Sequence, residues 1–319
     1  MQERFQKKKL LALEKINISK KLYFELRKRF IIYDNSKNNI KKLSQYDAIY
    51  TKFNYNINKR FLLKAKNLKY IISNVTGLDS IDTIQAKKHG IKIFSLKNKK
   101  KFLRSITATS EFTFGLILSL LRKIPYAHNS VINKIYDRYS YVGNNLKDKT
   151  LGIIGFGRNG KLIYKYAKSF SMKVIFVDKN YKGNVKGKVS LNYLLKNSDI
   201  ITLNVDLNKS TIHLIDNKKL KLINKNAFLI NTSRCEIVNQ KDLFEALRKE
   251  KIAGFASDFL EQKNFIYTTI SKKLIRLAKS KKNVIFTPHL GGATYESMFQ
   301  TEEFVFKQLI LYEKKIVHK

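Results

Sequence analysis

Lys149 to Asp178, KTLGIIGFGRNGKLIYKYAKSFSMKVIFVD, constrains the fold of this chain more than any other stretch. A short apolar run from Leu151 to Ile154 suits a buried strand. Gly155-Phe156-Gly157-Arg158-Asn159-Gly160 follows, and Leu162, Ile163, Tyr166, Ala167 and Phe170 then share one face at helical spacing. A second apolar run, Val174 to Val177, ends in Asp178. Strand, G-x-G-x-x-G, helix, strand and terminal acid is the order that a dinucleotide-binding βαβ unit requires. Gly155 permits a tight turn, Gly157 lets backbone approach a pyrophosphate, and Gly160 lets the helix pack close to the strand. Arg158 and Asn159 open the helix, whose free N–H groups and positive dipole end suit phosphate. Asp178 lies 178 − 160 = 18 residues past the last glycine. A carboxylate there accepts from both hydroxyls of an adenosine ribose and repels a 2′-phosphate, so NAD is favoured over NADP. The alternative, a glycine-rich turn without a ligand, leaves the framing strands and the acid unexplained.

With 319 residues the chain suits two domains better than one core. Its formal net charge of +40, from 64 Lys+Arg against 24 Asp+Glu, invites a nucleic-acid or membrane reading. Lysine far outnumbers arginine, however, and arginine is the residue whose fork of donors matches phosphate. The lysines are also scattered, with short clusters such as Lys99-Lys100-Lys101 and no basic tail. The charge therefore reads as solvated surface that also draws anionic substrates, with no specific nucleic-acid partner. One cysteine, Cys235, excludes a disulfide within the chain and suits a reducing compartment. The N-terminus lacks an apolar signal core, and the most apolar segment, Phe112 to Leu121, is well short of the roughly 18 residues of a membrane span. A cytoplasmic protein without membrane association is expected.

Strand candidates at Leu10–Leu13, Phe30–Tyr33 and Ala48–Tyr50 alternate with lysine-rich helical stretches. Leu68 to Asp82 then reads as a strand, a loop containing Thr76-Gly77, and a helix start. That loop is either an ordinary βα turn or a set of backbone N–H groups able to hold a carboxylate. Ile91–Phe94 is a strand and Thr109–Lys123 a long apolar helix that Pro125 ends; Tyr126 to Lys149 shows weak periodicity and reads as an arm for a partner subunit. Beyond the βαβ unit, helices at Leu191–Asn197, Leu220–Ile223 and Gln240–Lys249 alternate with strands at Asp199–Asn204, Ala227–Asn231, Ala253–Phe259 and Val284–Thr287. This alternation predicts an α/β fold with a doubly wound parallel sheet, whose ligands lie at the carboxyl ends of its strands. Asn231 to Arg234, Asp258 and Pro288-His289 follow strands directly and so face that edge. Arg234 is either a fork for a carboxylate and its neighbouring carbonyl oxygen or a surface ion pair. His289, one of five histidines, is the side chain whose ordinary pKa of about 6.5 suits proton exchange near neutrality. No Cys/His/Asp cluster has metal-ligand spacing.

Leu68–Asp82, Ala108-Thr109-Ser110-Glu111, Thr150–Asp178, Leu229–Val238, Ala256–Glu261 and Thr287–Thr294 occur in one order, and together they resemble the NAD-dependent D-2-hydroxyacid dehydrogenases, the group containing phosphoglycerate dehydrogenase. The resemblance implies a Rossmann cofactor domain, about 104–290, inserted into a smaller flavodoxin-like α/β substrate domain, about 1–103 plus 291–319, with substrate in the cleft between them. It implies that backbone at Thr76 and Gly77 holds the carboxylate of a small 2-hydroxy or 2-keto acid, and that Arg234 orients that carboxylate and the C2 oxygen. On the same resemblance, His289 would exchange the hydroxyl proton as hydride passes to or from NAD. Asp258 would lie near the nicotinamide end, with Thr232 and Ser233 lining the cofactor. Lys52 falls where phosphoglycerate-type members often carry arginine, so it either meets an anionic tail or is simply a solvated lysine. A homodimer is also implied. With no segment after residue 319, an appended regulatory domain is not expected.

Two positions depart from the family's pattern. It is usually D-V-F-E-x-E-P after the cofactor aspartate, with the second glutamate paired to the catalytic histidine. Here the stretch reads Asp258-Phe259-Leu260-Glu261-Gln262-Lys263-Asn264, so Lys263 holds the partner position. Three readings stay open: Glu261 serves as the catalytic carboxylate, the histidine works unassisted, or catalysis has decayed and the chain is an NAD-binding scaffold. Cys235 stands where the family has glycine, and it would be strained if that position needed a positive φ.

Overall fold

A computed structural model describes residues 7–34, 39–263, 266–280 and 283–317 of the chain. They divide into two compact units, Met1–Ser105 with Thr294–Lys319, and Ile106–Ala293. In the first, β1 (Lys8–Ala12), α1 (Lys20–Arg29), β2 (Phe30–Asp34), β3 (Ala48–Tyr50), α2 (Lys59–Lys64), β4 (Tyr70–Ser73), α3 (Thr83–Lys88), β5 (Lys92–Ser95) and α4 (Lys100–Leu103) run in order. The strands form an all-parallel sheet, β2-β1-β3-β4-β5. β3 and β4 are buried along their whole length, as strands covered by helices on both faces must be. Three of these helices begin where a short polar side chain caps them: Ser19 for α1, Asn58 for α2 and Asp82 for α3.

The second unit contains α5 (Ala108–Leu121), α6 (Ile124–Ile132), β6 (Thr150–Ile154), α7 (Arg158–Ser169), β7 (Lys173–Val177), α8 (Leu191–Asn197), β8 (Ile200–Leu203), α9 (Asn217–Leu220), β9 (Phe228–Asn231), α10 (Gln240–Arg248), β10 (Gly254–Ser257), β11 (Gln262–Lys263), β12 (Ile266–Tyr267), α11 (Thr269–Lys279) and β13 (Val284–Phe286). Six strands make a parallel sheet in the order β13-β10-β9-β8-β6-β7, and β11 and β12 form a small antiparallel hairpin. The strand order reverses at β6, between β7 on one side and β8 on the other, so the switch point lies at the residues that follow Ile154. Leu151 and Ile153 pack with α5 and α7 on one face, whereas Ile154 packs with α8 to α11 on the other. This is the doubly wound α/β arrangement.

The chain returns to the first unit through α12 (Tyr295–Val317). Val305, Phe306, Leu309 and Ile310 of this helix share a core with α1 and one face of the five-stranded sheet, while α2 and α3 cover the other face. Glu302 and Glu303 on α12 are buried, and both accept from backbone N–H groups, Asn17 and Ser19, at the start of α1. Such pairing offsets the cost of removing a carboxylate from water.

Three sequence expectations shift. Pro125 does not end the apolar helix: α5 stops at Leu121, Lys123 takes a left-handed turn at φ 51°, and Pro125 sits in the first turn of α6. Proline lacks an N–H that a first turn would leave unpaired anyway, so it starts a helix as readily as it stops one. The arm expected from Tyr126 to Lys149 therefore begins with helix. The helix expected at Leu220–Ile223 lies earlier, at Asn217–Leu220, because Asp216 caps it by accepting from Lys219 N. Cys235 opens a short 3-10 turn without a positive φ, so the cysteine carries no left-handed strain; its thiol is buried and donates to Glu236. Among the described residues, no helix is long and apolar enough to cross a membrane.

Candidate active site

The G-x-G-x-x-G loop is built by close approach. Gly155 has φ +93°, and a Cβ there would lie 2.5 Å from the carbonyl oxygen of Asn204. A Cβ on Gly160 would lie 2.2 Å from the carbonyl oxygen of Gly155, so α7 can start this near β6 only with glycine at that point. Around Gly157 the opposite holds, because an added Cβ would meet nothing within 4 Å. The loop therefore presents open backbone at the N-terminus of a 12-residue helix, a space and a polarity that fit a pyrophosphate. Side chains here brace the protein: the Arg158 guanidinium donates to the Ile106 carbonyl, and Ser110 Oγ lies 3.4 Å from both Asn159 O and Oδ1.

Asp178 stands at the end of β7 with its Oδ2 accepting from Phe156 N at 2.8 Å and its Oδ1 from Asn180 N at 2.7 Å. It thus ties the second strand to the glycine loop and keeps further lone pairs for ribose hydroxyls. Beneath it Phe156 stacks on Phe176 at 3.8 Å, with Tyr164 and Tyr181 edge-on. The residues fit NAD. Asp178→Ala is expected to weaken NADH binding about 10–100-fold, the loss of a charge-assisted hydrogen-bonding group, and to narrow the preference over NADPH. Fluorescence titration with both nucleotides measures this; an unchanged NADH/NADPH ratio would remove Asp178 from cofactor choice.

Three further loops leave the same carboxyl edge. After β9, Asn231 braces its own turn: its Nδ2 donates to Arg234 O at 2.8 Å and its Oδ1 accepts from Ser233 N at 3.0 Å. Thr232 shares a buried hydrogen bond with Thr113 at 2.8 Å, and Ser233 Oγ donates to Leu203 O at 2.8 Å. Arg234 is half-buried, donates from its guanidinium to the Ser233 carbonyl, and lies over the Phe259 ring with Cζ 5.2 Å from the centroid.

After β10, Asp258 is 1 % exposed, and its carboxylate accepts from Thr287 Oγ1 (2.6 Å), Leu290 N (2.7 Å) and Gly291 N (2.7 Å). Burial pushes its pKa up, against those three donors and the positive Arg234. The backbone carbonyl of Asp258 accepts from His289 N at 3.0 Å. Asp258 therefore clamps both sides of the turn that carries His289. His289 is held at φ 60°, in a left-handed turn, with its ring 4.4 Å from that of Phe259.

The structure thus gathers Arg234 and His289 around one side chain, Phe259, which sequence reasoning passed over. Its only signal was an aromatic residue where the family's pattern has valine. Glu261 is half-buried; its carboxylate accepts from Thr268 Oγ1 at 3.4 Å, and its carbonyl accepts from Ser271 Oγ at 2.7 Å. Lys263 is exposed on the small hairpin. Neighbouring Asn264 lies outside the described residues.

In the first unit, Thr76 is exposed and Gly77 half-buried in the loop that follows β4. That loop is set by Asn74, which accepts from Tyr50 Oη at 3.3 Å and donates to Thr301 at 3.2 Å. Lys52 is not a solvated lysine: its ammonium pairs with Glu302 at 2.7 Å, with side-chain exposures of 16% and 0%. A buried carboxylate left without its cation would cost about 3–5 kcal/mol, so the pair holds the ammonium in place.

Residues 114–291 match the model of the D-isomer specific 2-hydroxyacid dehydrogenase NAD-binding domain. The chain is similar to a glyoxylate reductase of Thermococcus litoralis, 36% identical over 86% of this chain and 83% of that one. It also resembles the D-3-phosphoglycerate dehydrogenase of Bacillus subtilis, 31% identical over 86% of this chain and 50% of that one. Among solved structures, D-lactate dehydrogenase from Aquifex aeolicus, complexed with NAD and lactic acid, superimposes with a TM-score of 0.82 at 28% identity, covering 97% of this chain and 96% of that one. The chain belongs to the D-isomer specific 2-hydroxyacid dehydrogenase family. It is an NAD-dependent oxidoreductase acting on a D-2-hydroxy acid and its 2-keto partner.

Proposed function

We propose that this chain reduces a short, unphosphorylated 2-keto acid of the glyoxylate or hydroxypyruvate type to the 2-hydroxy acid in the cytoplasm. The observation that carries this reading is the gathering of Arg234 and His289 around the Phe259 ring, on loops held by Asn231 and Asp258. NAD, when bound, supplies or takes up the hydride. Arg234, with its planar fork, grips the substrate carboxylate and C2 oxygen, fixing the face that C2 presents. The loop at Thr76 and Gly77 offers backbone N–H groups suited to a substrate carboxylate. His289 gives its imidazolium proton to the C2 oxygen in reduction and takes the hydroxyl proton in oxidation. The reduction thus consumes one keto acid, one hydride and one proton and releases one hydroxy acid.

Lys52 separates the substrate classes. An ammonium already paired with buried Glu302 is poorly disposed to a phosphate tail, which supports hydroxypyruvate or glyoxylate over phosphohydroxypyruvate. A panel of keto acids assayed by NADH oxidation tests this. The expected kcat/KM for glyoxylate or hydroxypyruvate is at least about tenfold above that for phosphohydroxypyruvate, a difference of about 1.4 kcal/mol. Preference for the phosphorylated acid would overturn the assignment. Tight NADH binding with no turnover of any acid would instead support the second reading, an NAD-binding scaffold, which the exposed Lys263 at the partner position motivates.

A second copy of the chain is the proposed partner. Val131, Ile132, Ile135, Tyr136, Tyr139 and Val142, on and after α6, are all more than half exposed. An apolar row of this length favours a protein neighbour over water.

A further inference from the structure

Phe259 is the residue between the two groups that act on the substrate. It follows Asp258 directly, so the clamp that fixes the His289 turn also fixes the start of the Phe259 side chain. Its own backbone N donates to Ser257 Oγ at 3.2 Å, and that hydroxyl donates to the Phe259 carbonyl at 2.9 Å. The half-buried ring then touches two cofactor-edge side chains. The Arg234 guanidinium lies over it at 5.2 Å, and the His289 imidazole lies 4.4 Å away at 55°. The three residues come from three different strand ends, after β9, β10 and β13. Backbone hydrogen bonds join the three loops at Asp258, which donates to Asn231 O and accepts from His289 N, and one rigid ring in contact with both side chains lies between them.

The chemistry explains why the contact matters. In reduction both neighbours are cationic, the guanidinium always and the imidazole while it carries the proton to be given. Like charges brought together repel. An aromatic ring carries negative charge on its faces, so it attracts a guanidinium lying over it and tolerates a cation nearby without neutralising either. A carboxylate in that place would pair with one group at the expense of the other. A valine, which the family's pattern has after the aspartate, offers neither the reach nor the π face.

We propose that Phe259 is a positioning residue for the reaction: its ring sets the spacing of the Arg234 guanidinium and the His289 imidazole so that both reach one C2 oxygen. This rests on the roles given to those two residues under the proposed function.

The test compares Phe259→Leu, Phe259→Met and Phe259→Tyr in the full chain with hydroxypyruvate and NADH. Methionine keeps bulk without a π face, and tyrosine keeps the ring. The leucine and methionine variants are expected to lose about tenfold or more in kcat/KM, carried mainly by kcat, which is the scale of one desolvated cation–π contact with its geometry. The tyrosine variant is expected within about threefold of the wild type, and NADH affinity is expected to change little in all three because Phe259 follows β10 and is not part of the glycine loop after β6. Wild-type turnover combined with leucine and methionine variants that keep their kcat would overturn the proposal. So would a tyrosine variant as slow as leucine, since that would leave nothing for the ring to do. If leucine proves unstable, methionine alone decides between ring and bulk. Absence of turnover in the wild type is a separate outcome, which removes the proposed function itself and this role with it.

Discussion

His289→Asn lowers kcat for keto-acid reduction by about 10²–10⁴-fold while NADH affinity stays within error. That range is the ordinary contribution of a positioned general acid. Asparagine retains a hydrogen-bond donor of similar reach and tolerates the left-handed φ of 60° that this position requires, so the turn held by Asp258 persists. What is lost is the ability to give up a proton. The wild-type reduction rate falls toward alkaline pH as the imidazole loses its proton, and the oxidation rate rises. In the asparagine variant that histidine-dependent limb flattens, because nothing at the position titrates. A variant that keeps both its rate and its pH profile would show that the proton comes from elsewhere.

Arg234→Lys costs about 30–5,000-fold in kcat/KM, the equivalent of the 2–5 kcal/mol typical of truncating one partner of a desolvated, hydrogen-bonded charge pair. Lysine preserves the charge, so a purely electrostatic role would leave the rate nearly intact. The predicted loss comes from geometry. An ammonium cannot span a carboxylate oxygen and the C2 oxygen in one plane, nor can it lie flat over Phe259 as the guanidinium does at 5.2 Å. Both KM and kcat suffer, because the fork binds the ground state and holds C2 in the reactive pose. A lysine variant with the wild-type kcat/KM would reduce Arg234 to a surface charge.

The cofactor half of the site was legible in the sequence because glycine carries an explicit backbone signal. Only glycine accommodates the φ of +93° at Gly155 and the approach of 2.2 Å at Gly160, so three glycines and a later acid specify a geometry. The strands were legible for a related reason: buried parallel strands leave unbroken apolar runs. Pro125 was misread because one residue serves as terminator and as first-turn residue, and choosing needs the turn at Lys123. The pairing of Lys52 with Glu302 and the place of Phe259 left little trace. Their partners lie 250 residues away in one case and on separate strand ends in the other. The aromatic four residues before Lys263 carries no motif of its own in the sequence. The structure shifts the interest of that segment from the exposed lysine to the ring.

Hydride arriving at one face of C2 while His289 and Arg234 hold the oxygen and the carboxylate leaves a single enantiomer. Reduction of hydroxypyruvate by NADH, followed by chiral separation of the glycerate, reads that outcome directly. The expected product is D-glycerate alone, formed at a rate that His289→Asn lowers by about 10²–10⁴-fold. L-glycerate, a racemate, or no product from a chain that binds NADH would contradict the assignment of the site.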